Sequence, residues 1–213
     1  MLVNKKVLLF DLDDTLYDRR TGLWEAIRDR MNKFLQEHLQ LPPEDAVRLR
    51  QEYFQTYGTT LKGLLVEHDI DVNAYLSYVH DVPLYKYLKP DPQIAAMLAS
   101  IHHKKFIFTN ADAAHAKRVL NCLGFANLFQ GIIDIRAMNF HCKPEPHVYQ
   151  LAMRLAGVPA PGNCVLIDDS PRNILAAHNY GFFTVLVNSG SFLSAANKQI
   201  SSIAQLPAVL DFL

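Results

Sequence analysis

Cysteine is scarce in this chain, and what there is lies scattered. Cys122, Cys142 and Cys164 are three in 213 residues, an odd set with no CxxC spacing. That excludes a disulfide scaffold and a thiolate zinc site, and free thiols in a reducing cytoplasm are the expected state. A surplus of either charge is also lacking. Lys plus Arg and Asp plus Glu number 21 each, so no global field directs the chain to nucleic acid or an anionic membrane. No apolar run is long enough to span a bilayer. No signal-like segment opens the sequence, because Val7 to Phe10 is short and meets Asp11 at once. Repeats and low-complexity segments are absent as well. What remains is 50% hydrophobic and 20% charged, the make-up of an ordinary soluble globular protein, with room for one large domain or a core plus an insert.

The apolar pattern changes character along the chain. Val3 to Phe10 reads as a buried strand. From Thr21 to about His80 apolar residues recur at helical spacing, beginning with Leu23, Trp24, Ile27, Met31, Phe34 and Leu35. Pro42-Pro43 ends that helix and seats the next, and a further helix is expected at Thr59 or Thr60 after the Gly58 turn. From Pro90 onward helices and short apolar runs alternate. Strands are expected at 105–108, 131–135, 164–167 and, last, 183–187, with helices at 93–101, 113–123, 146–156 and within 169–180. Such alternation predicts an α/β fold: a Rossmann-like parallel sheet with helices on both faces. The helical block is then an insertion, a cap over residues 18–87, with residues 1–17 and 88–213 forming the core.

Sites in open parallel sheets lie beyond the carboxyl ends of strands. Strand one is followed by Asp11-Leu12-Asp13-Asp14-Thr15, and the next by Thr109-Asn110. The fourth is followed by Asp168-Asp169-Ser170, and Cys142-Lys143-Pro144 sits between the third strand and its helix. Three carboxylates within four positions repel one another, which at close range amounts to about 1 to 4 kcal/mol per pair. A cation must offset that. Asp11 and Asp13, one residue apart, face the same way while the chain stays extended, and Asp168 arrives from another strand. This hard oxygen set suits Mg²⁺, with the Lys143 ammonium as its companion. Together these groups are the inventory of a metal-assisted phosphoryl site.

The ordered set DLDDT, FTN, KP and IDDS resembles the four motifs of the haloacid dehalogenase (HAD) superfamily of aspartate-nucleophile hydrolases, most of them phosphatases. DDTLY, YGTTLKGL and FTNAD resemble its pyrimidine 5'-nucleotidase branch. The resemblance implies a nucleophile at Asp11 and a general acid/base at Asp13. Thr109 would bind phosphoryl oxygens with Asn110 near it, and Lys143 would hold nucleophile and phosphate charge. Asp11, the Asp13 carbonyl, Asp168 and Asp169 would hold Mg²⁺. The implied substrate is a small phosphomonoester, with a nucleoside monophosphate favoured.

Other readings compete. A phosphatase for another metabolite, such as phosphoglycolate or a sugar phosphate, shares every core motif. A haloacid dehalogenase needs no second aspartate, so Asp13 argues against it. A signalling receiver domain places its lysine last, whereas Lys143 precedes Asp168. A binding protein of the same fold without activity lacks no motif residue. Asp14 reads as a turn residue pointing away, and His102, His103, His115, His141 and His147 as solvated. Cys142 reads as a passive thiol, and Arg19-Arg20 as either solvated or facing a substrate anion. In the insert, Tyr57, Thr60 and Lys62 combine a flat ring, a hydroxyl and a charge. Substrate contact and plain packing both remain open for them.

Overall fold

The structure is a computed structural model and describes residues 6–188, 190 and 193–210. Strand β1 spans Val7–Phe10 and is buried at every position, as a strand covered on both faces must be. Residues 3–5 of the expected first strand lie outside the described residues. β2 (Lys104–Phe108), β3 (Gly131–Ile133), β4 (Cys164–Asp168) and β5 (Phe183–Val187) follow. All pairings are parallel, and among the described residues the order, with β6 at Lys198–Ile200, is β3-β2-β1-β4-β5-β6.

Two expectations need correction. β3 stops at Ile133 and does not reach Ile135, because the Asp134 carboxylate turns to accept the backbone N–H groups of Ala113 and Ala137. The strand at 183–187 is not the last either. β6 (Lys198–Ile200) pairs with β5 at the edge. Its three residues include two polar ones, too little pattern to read from sequence.

Alternation along the strands divides the core. Leu9, Phe108, Leu166 and Leu186 pack on one face, while Leu8, Phe10, Ile107, Val165 and Ile167 pack on the other. Among the described residues, five α-helices after the insert accompany these strands: α5 (Pro92–Ser100), α6 (Ala113–Leu123), α7 (Pro146–Ala156), α8 (Pro171–Tyr180) and α9 (Leu206–Leu210). Because β1 lies between β2 and β4, the winding reverses there, and a crevice opens at the carboxyl ends of these three strands.

The helices between β1 and β2 are α1 (Leu23–Leu39), α2 (Pro43–Tyr57), α3 (Thr60–Glu67) and α4 (Val72–Val79). Pro43 occupies the first turn of α2, where its missing N–H leaves no bond unmade. Thr59 caps α3 by accepting the Lys62 N–H, and Asp71 caps α4. Helices α2 and α3 meet where the buried Tyr53 side chain packs directly against Gly63. A methyl group at Gly63 would overlap that ring. Ala is the better helix former by about 1 kcal/mol, yet overpacking costs about 1–3 kcal/mol. Gly63→Ala is therefore expected to lower stability in denaturant unfolding, and unchanged or raised stability would refute the tight α2–α3 contact.

Candidate active site

The β1–β4 ladder runs one residue past β1, since the Asp11 N–H donates to the Ile167 carbonyl at 2.8 Å. The chain then turns. Leu16 N–H returns to Leu12 O, and Asp14 adopts φ 61°, a left-handed conformation. Asp11 and Asp13 thus do not share one extended face, as their spacing suggested; the turn sends their side chains to different partners. Thr15 ties the turn by donating to Asp11 Oδ2 at 3.2 Å. Asp14 does not point away. Its side chain is 7% exposed, 3.8 Å from Arg19, and burial pushes its carboxyl up to about 6.

Lys143 is the centre of the site. Its side chain is 1% exposed, and Nζ donates to Asp11 Oδ1, Asp168 Oδ2 and the Phe108 carbonyl, each at 2.7 Å. All three ammonium protons are used. Burial alone would discharge the amine, but Asp11 and Asp168 outweigh it and hold the ammonium firmly protonated. Asn110 fixes the backbone beneath. Its amide donates to Lys143 O at 3.0 Å and accepts the Lys143 N–H at 2.8 Å. Asn110 thus anchors the lysine loop. Thr109 is buried, with its hydroxyl oxygen accepting the Ala111 N–H at 3.0 Å, so the hydroxyl proton is left for another acceptor.

Asp168 and Asp169 differ sharply. Asp168 is fully buried, and its two oxygens accept from Ser170 N–H, Lys143 Nζ and the Asn173 amide. Asp169 makes no hydrogen bond among the described residues, and burial with the charges of Asp11 and Asp168 pushes it up to about 8. Asp11, under the same burial and only partly relieved by Lys143, rises to about 7. Carboxyl oxygens of Asp11, Asp168 and Asp169 lie within 4.8 Å of one another. When all three carboxyls are ionised, the single Lys143 ammonium leaves two negative charges unbalanced. A divalent cation with a taste for oxygen fits both the charge and the donors, and Mg²⁺ is such an ion.

Asp13 lies in a separate environment. Oδ1 accepts the Tyr17 hydroxyl at 2.7 Å and stands 3.0 Å from His115 Nε2. Burial works to raise its carboxyl, but His115 and Tyr17 overcome that and hold it below the ordinary carboxylate range. His115 is accordingly not solvated, as its sequence context suggested, but buried and stacked on His80 with ring centres 4.2 Å apart. The signal was its place on the inward stripe of α6 with Ala116, Val119 and Leu120. A cavity of about 580 Å³ adjoins this pair, with Arg30, Tyr78 and Arg118 also in its lining. The Asp11, Asp168 and Asp169 carboxylates are not part of that lining.

In the insert, each polar group singled out from sequence has a protein partner. The Tyr57 hydroxyl donates to Glu67 at 2.6 Å, and Thr60 donates to the Met31 sulfur at 3.9 Å. The Lys62 ammonium pairs with Glu145, just past Lys143. Cys142 is buried, and its thiol is pushed up to about 11 by burial and Glu145, as befits a passive group. His141 and His147 are exposed beside Glu145. Arg20 pairs with Asp18 on the surface.

A parallel sheet that gathers carboxylates, a hydroxyl and a buried lysine at neighbouring strand ends fits a hydrolase of the phosphatase type. Residues 5–181 match the haloacid dehalogenase-like hydrolase family, and the chain belongs to that family. Phosphate metabolism protein 8 of Saccharomyces cerevisiae is 33% identical over 234 residues, spanning 97% of this chain and 73% of the yeast protein. The glyceraldehyde 3-phosphate phosphatase of Methanopyrus kandleri is 27% identical over 203 residues, spanning 88% of this chain and 85% of its own. A HAD phosphatase structure from Thermococcus onnurineus shares the fold, with TM-score 0.66, 21% identity, and coverage of 96% of this chain and 97% of that one.

The raised carboxyls make stability depend on pH. A carboxyl whose folded value lies above its unfolded value of about 3.9 binds more protons when folded, so its contribution is present at low pH and fades as pH rises. With Asp11 near 7 and Asp169 near 8, the protein held in a chelator is expected to lose melting temperature between about pH 5 and pH 8. Saturating Mg²⁺ should flatten that decline, and Asp169→Asn should weaken both the decline and the Mg²⁺ response. Calorimetric melting across pH measures this, and a flat profile in chelator would contradict the excess of negative charge.

Proposed function

We propose that this protein is a Mg²⁺-dependent phosphomonoester hydrolase acting through an aspartyl phosphate. The helical insert serves as its cap, and a nucleoside monophosphate is the favoured substrate. The observation that carries this reading is the division between the two aspartates. Asp11 is bound to the Lys143 ammonium, whereas Asp13 is bound by Tyr17 and His115. Two carboxylates two residues apart with unlike partners can perform two unlike tasks. Dehalogenation at carbon has no use for the second.

In this mechanism Asp11 attacks phosphorus as the bond to the leaving oxygen breaks. Asp13 gives its proton to that oxygen, then takes one from the water that cleaves the aspartyl phosphate. In the resting site Asp13 lies below the ordinary range. Its proton is therefore taken up as the phosphate enters, because added negative charge favours the protonated carboxyl. The Thr109 hydroxyl donates to a phosphoryl oxygen, and Lys143 steadies the charge shared by nucleophile and phosphate. Asp11, the Asp13 carbonyl, Asp168 and Asp169 would hold Mg²⁺, which supplies charge cancellation on the phosphoryl oxygens when bound.

Core residues of this kind grip the phosphate alone, so discrimination falls to the insert. Tyr57, Thr60 and Lys62 are the candidates, and substrate contact by Lys62 requires it to leave Glu145. Lys62→Ala is expected to raise KM for the preferred nucleotide more than for an aryl phosphate. Equal effects on both would return Lys62 to a packing role.

Phosphate release from nucleoside monophosphates, sugar phosphates, phosphoglycolate and glyceraldehyde 3-phosphate, with and without Mg²⁺, tests the function directly. Asp11→Asn is expected to abolish turnover with the fold retained. Asp13→Asn should lose about 10² to 10⁴-fold on substrates with poor leaving groups and less on aryl phosphates. Substantial turnover by Asp11→Asn free of deamidation would remove the nucleophile assignment.

A further inference from the structure

Both bonds to the Asp13 carboxylate fall on the same oxygen. Tyr17 donates to Oδ1 at 2.7 Å, and His115 Nε2 stands 3.0 Å from that atom. Oδ2 has no hydrogen bond among the described residues. Two donors on one oxygen fix the plane of the carboxyl group and leave the other oxygen for an approaching atom.

His115 is itself held from several sides. The helix that carries it, α6, is capped by Asp112, which accepts the His115 N–H at 3.0 Å. The His115 ring is 1% exposed and lies on the His80 ring at 4.2 Å with 16° between planes. His80 closes α4, the last helix of the insert, and its Nδ1 is 3.3 Å from Asp112 Oδ1. Arg118, one turn after His115 on α6, donates to the carbonyls of His80 and Val82 at 2.8 and 2.9 Å. The exit of the insert is thereby clamped to the helix that bears His115.

The remaining nitrogen of His115, Nδ1, is buried without a hydrogen bond. A phenyl ring would fill the same stack and leave no such atom, so packing does not account for an imidazole here. Its bond to Asp13 does.

We propose that His115 is a positioning residue for Asp13 and that His80 braces it. The orientation of the acid/base then depends on how the end of the insert is seated on α6. This rests on the assignment of Asp13 as acid/base. In the first half-reaction the Oδ2 proton of Asp13 passes to the leaving oxygen as the phosphorus–oxygen bond breaks. In the second, Oδ2 takes a proton from the attacking water. His115 keeps its Nε2–H throughout and undergoes no net change.

The test compares kcat and KM on an alkyl phosphate and an aryl phosphate for His115→Phe, His115→Gln, His80→Ala, His80→Phe and Asp13→Asn. Misplacing a catalytic group by a fraction of its reach can lose about 10²-fold. His115→Phe is expected to lose kcat on that order with the alkyl phosphate, much less with the aryl phosphate, and with KM little changed. His115→Gln, whose amide can donate, should recover part of the loss. His80→Ala should show the same leaving-group pattern more weakly, and His80→Phe, which keeps a flat ring in the stack, should recover most of it. Equal losses on both substrates, or none, in the folded His115 variants would overturn the inference. If His115→Phe does not fold, His115→Gln and the His80 pair carry the same test. Asp13→Asn separates the two failures. If it shows no leaving-group dependence, the acid/base assignment itself is wrong. If it does and the histidine variants do not, only the positioning role falls.

Discussion

One buried ammonium organises this molecule. Lys143 Nζ reaches a carboxylate after β1, a carbonyl at the end of β2 and a carboxylate at the end of β4. Three strands of the sheet are thus tied at the same edge by a single charge. Two carboxylates taken out of water need that charge, and the charge, equally removed from water, needs them. Breaking such a group by deleting one member leaves an unpaired buried charge, a loss of about 3–5 kcal/mol in comparable cases. The strand order follows the same logic, since β1 in the middle brings all three partners within reach.

Excess charge is the second constraint. Asp11 and Asp169 are pushed up to about 7 and about 8, first by burial and then by neighbouring carboxylates that one lysine does not fully offset. An ordinary structural ion pair would be neutral overall and would depress its carboxyls. A site that holds surplus negative charge in a buried place is prepared for a cation. Asp13, a few ångströms along the chain, has the opposite environment, with donors and no buried ammonium. The turn at Leu12 to Asp14 separates the two, and Asp14 reaches the left-handed region to make it.

Much of this was legible in the sequence because the signals are local. The short run Val-Leu-Leu-Phe before an acidic turn reads as a strand that ends in the interior, and Pro42-Pro43 reads as the break between one helix and the next. The gathering of Asp11, Thr109, Lys143 and Asp168 followed from the rule that sites lie at strand ends. What escaped was set by tertiary contact. Asp11 and Asp13 look equivalent on an extended chain, and only the turn divides them. His115 looks like any exposed histidine until α6 is docked and His80 comes from the insert to cover it. β6 is too short and too polar to announce itself. The partners of Tyr57, Thr60 and Lys62 lie outside their own segment, so no reading of that segment alone could find them.

The Asn110 side chain holds both the N–H and the C=O of Lys143, the way one strand holds its neighbour. Lys143 is in effect an extra rung of the sheet, made by an amide and not by a backbone. An amide suits this task, since it offers a donor and an acceptor side by side in one plane. Asparagine is also a chemically perishable residue. Hydrolysis of this one amide to a carboxylate would turn the donor that faces the Lys143 carbonyl into an acceptor. It would also add negative charge beside a pocket already in surplus. Loss of this one amide would therefore loosen the loop that carries Lys143, and with it the tie between β1, β2 and β4.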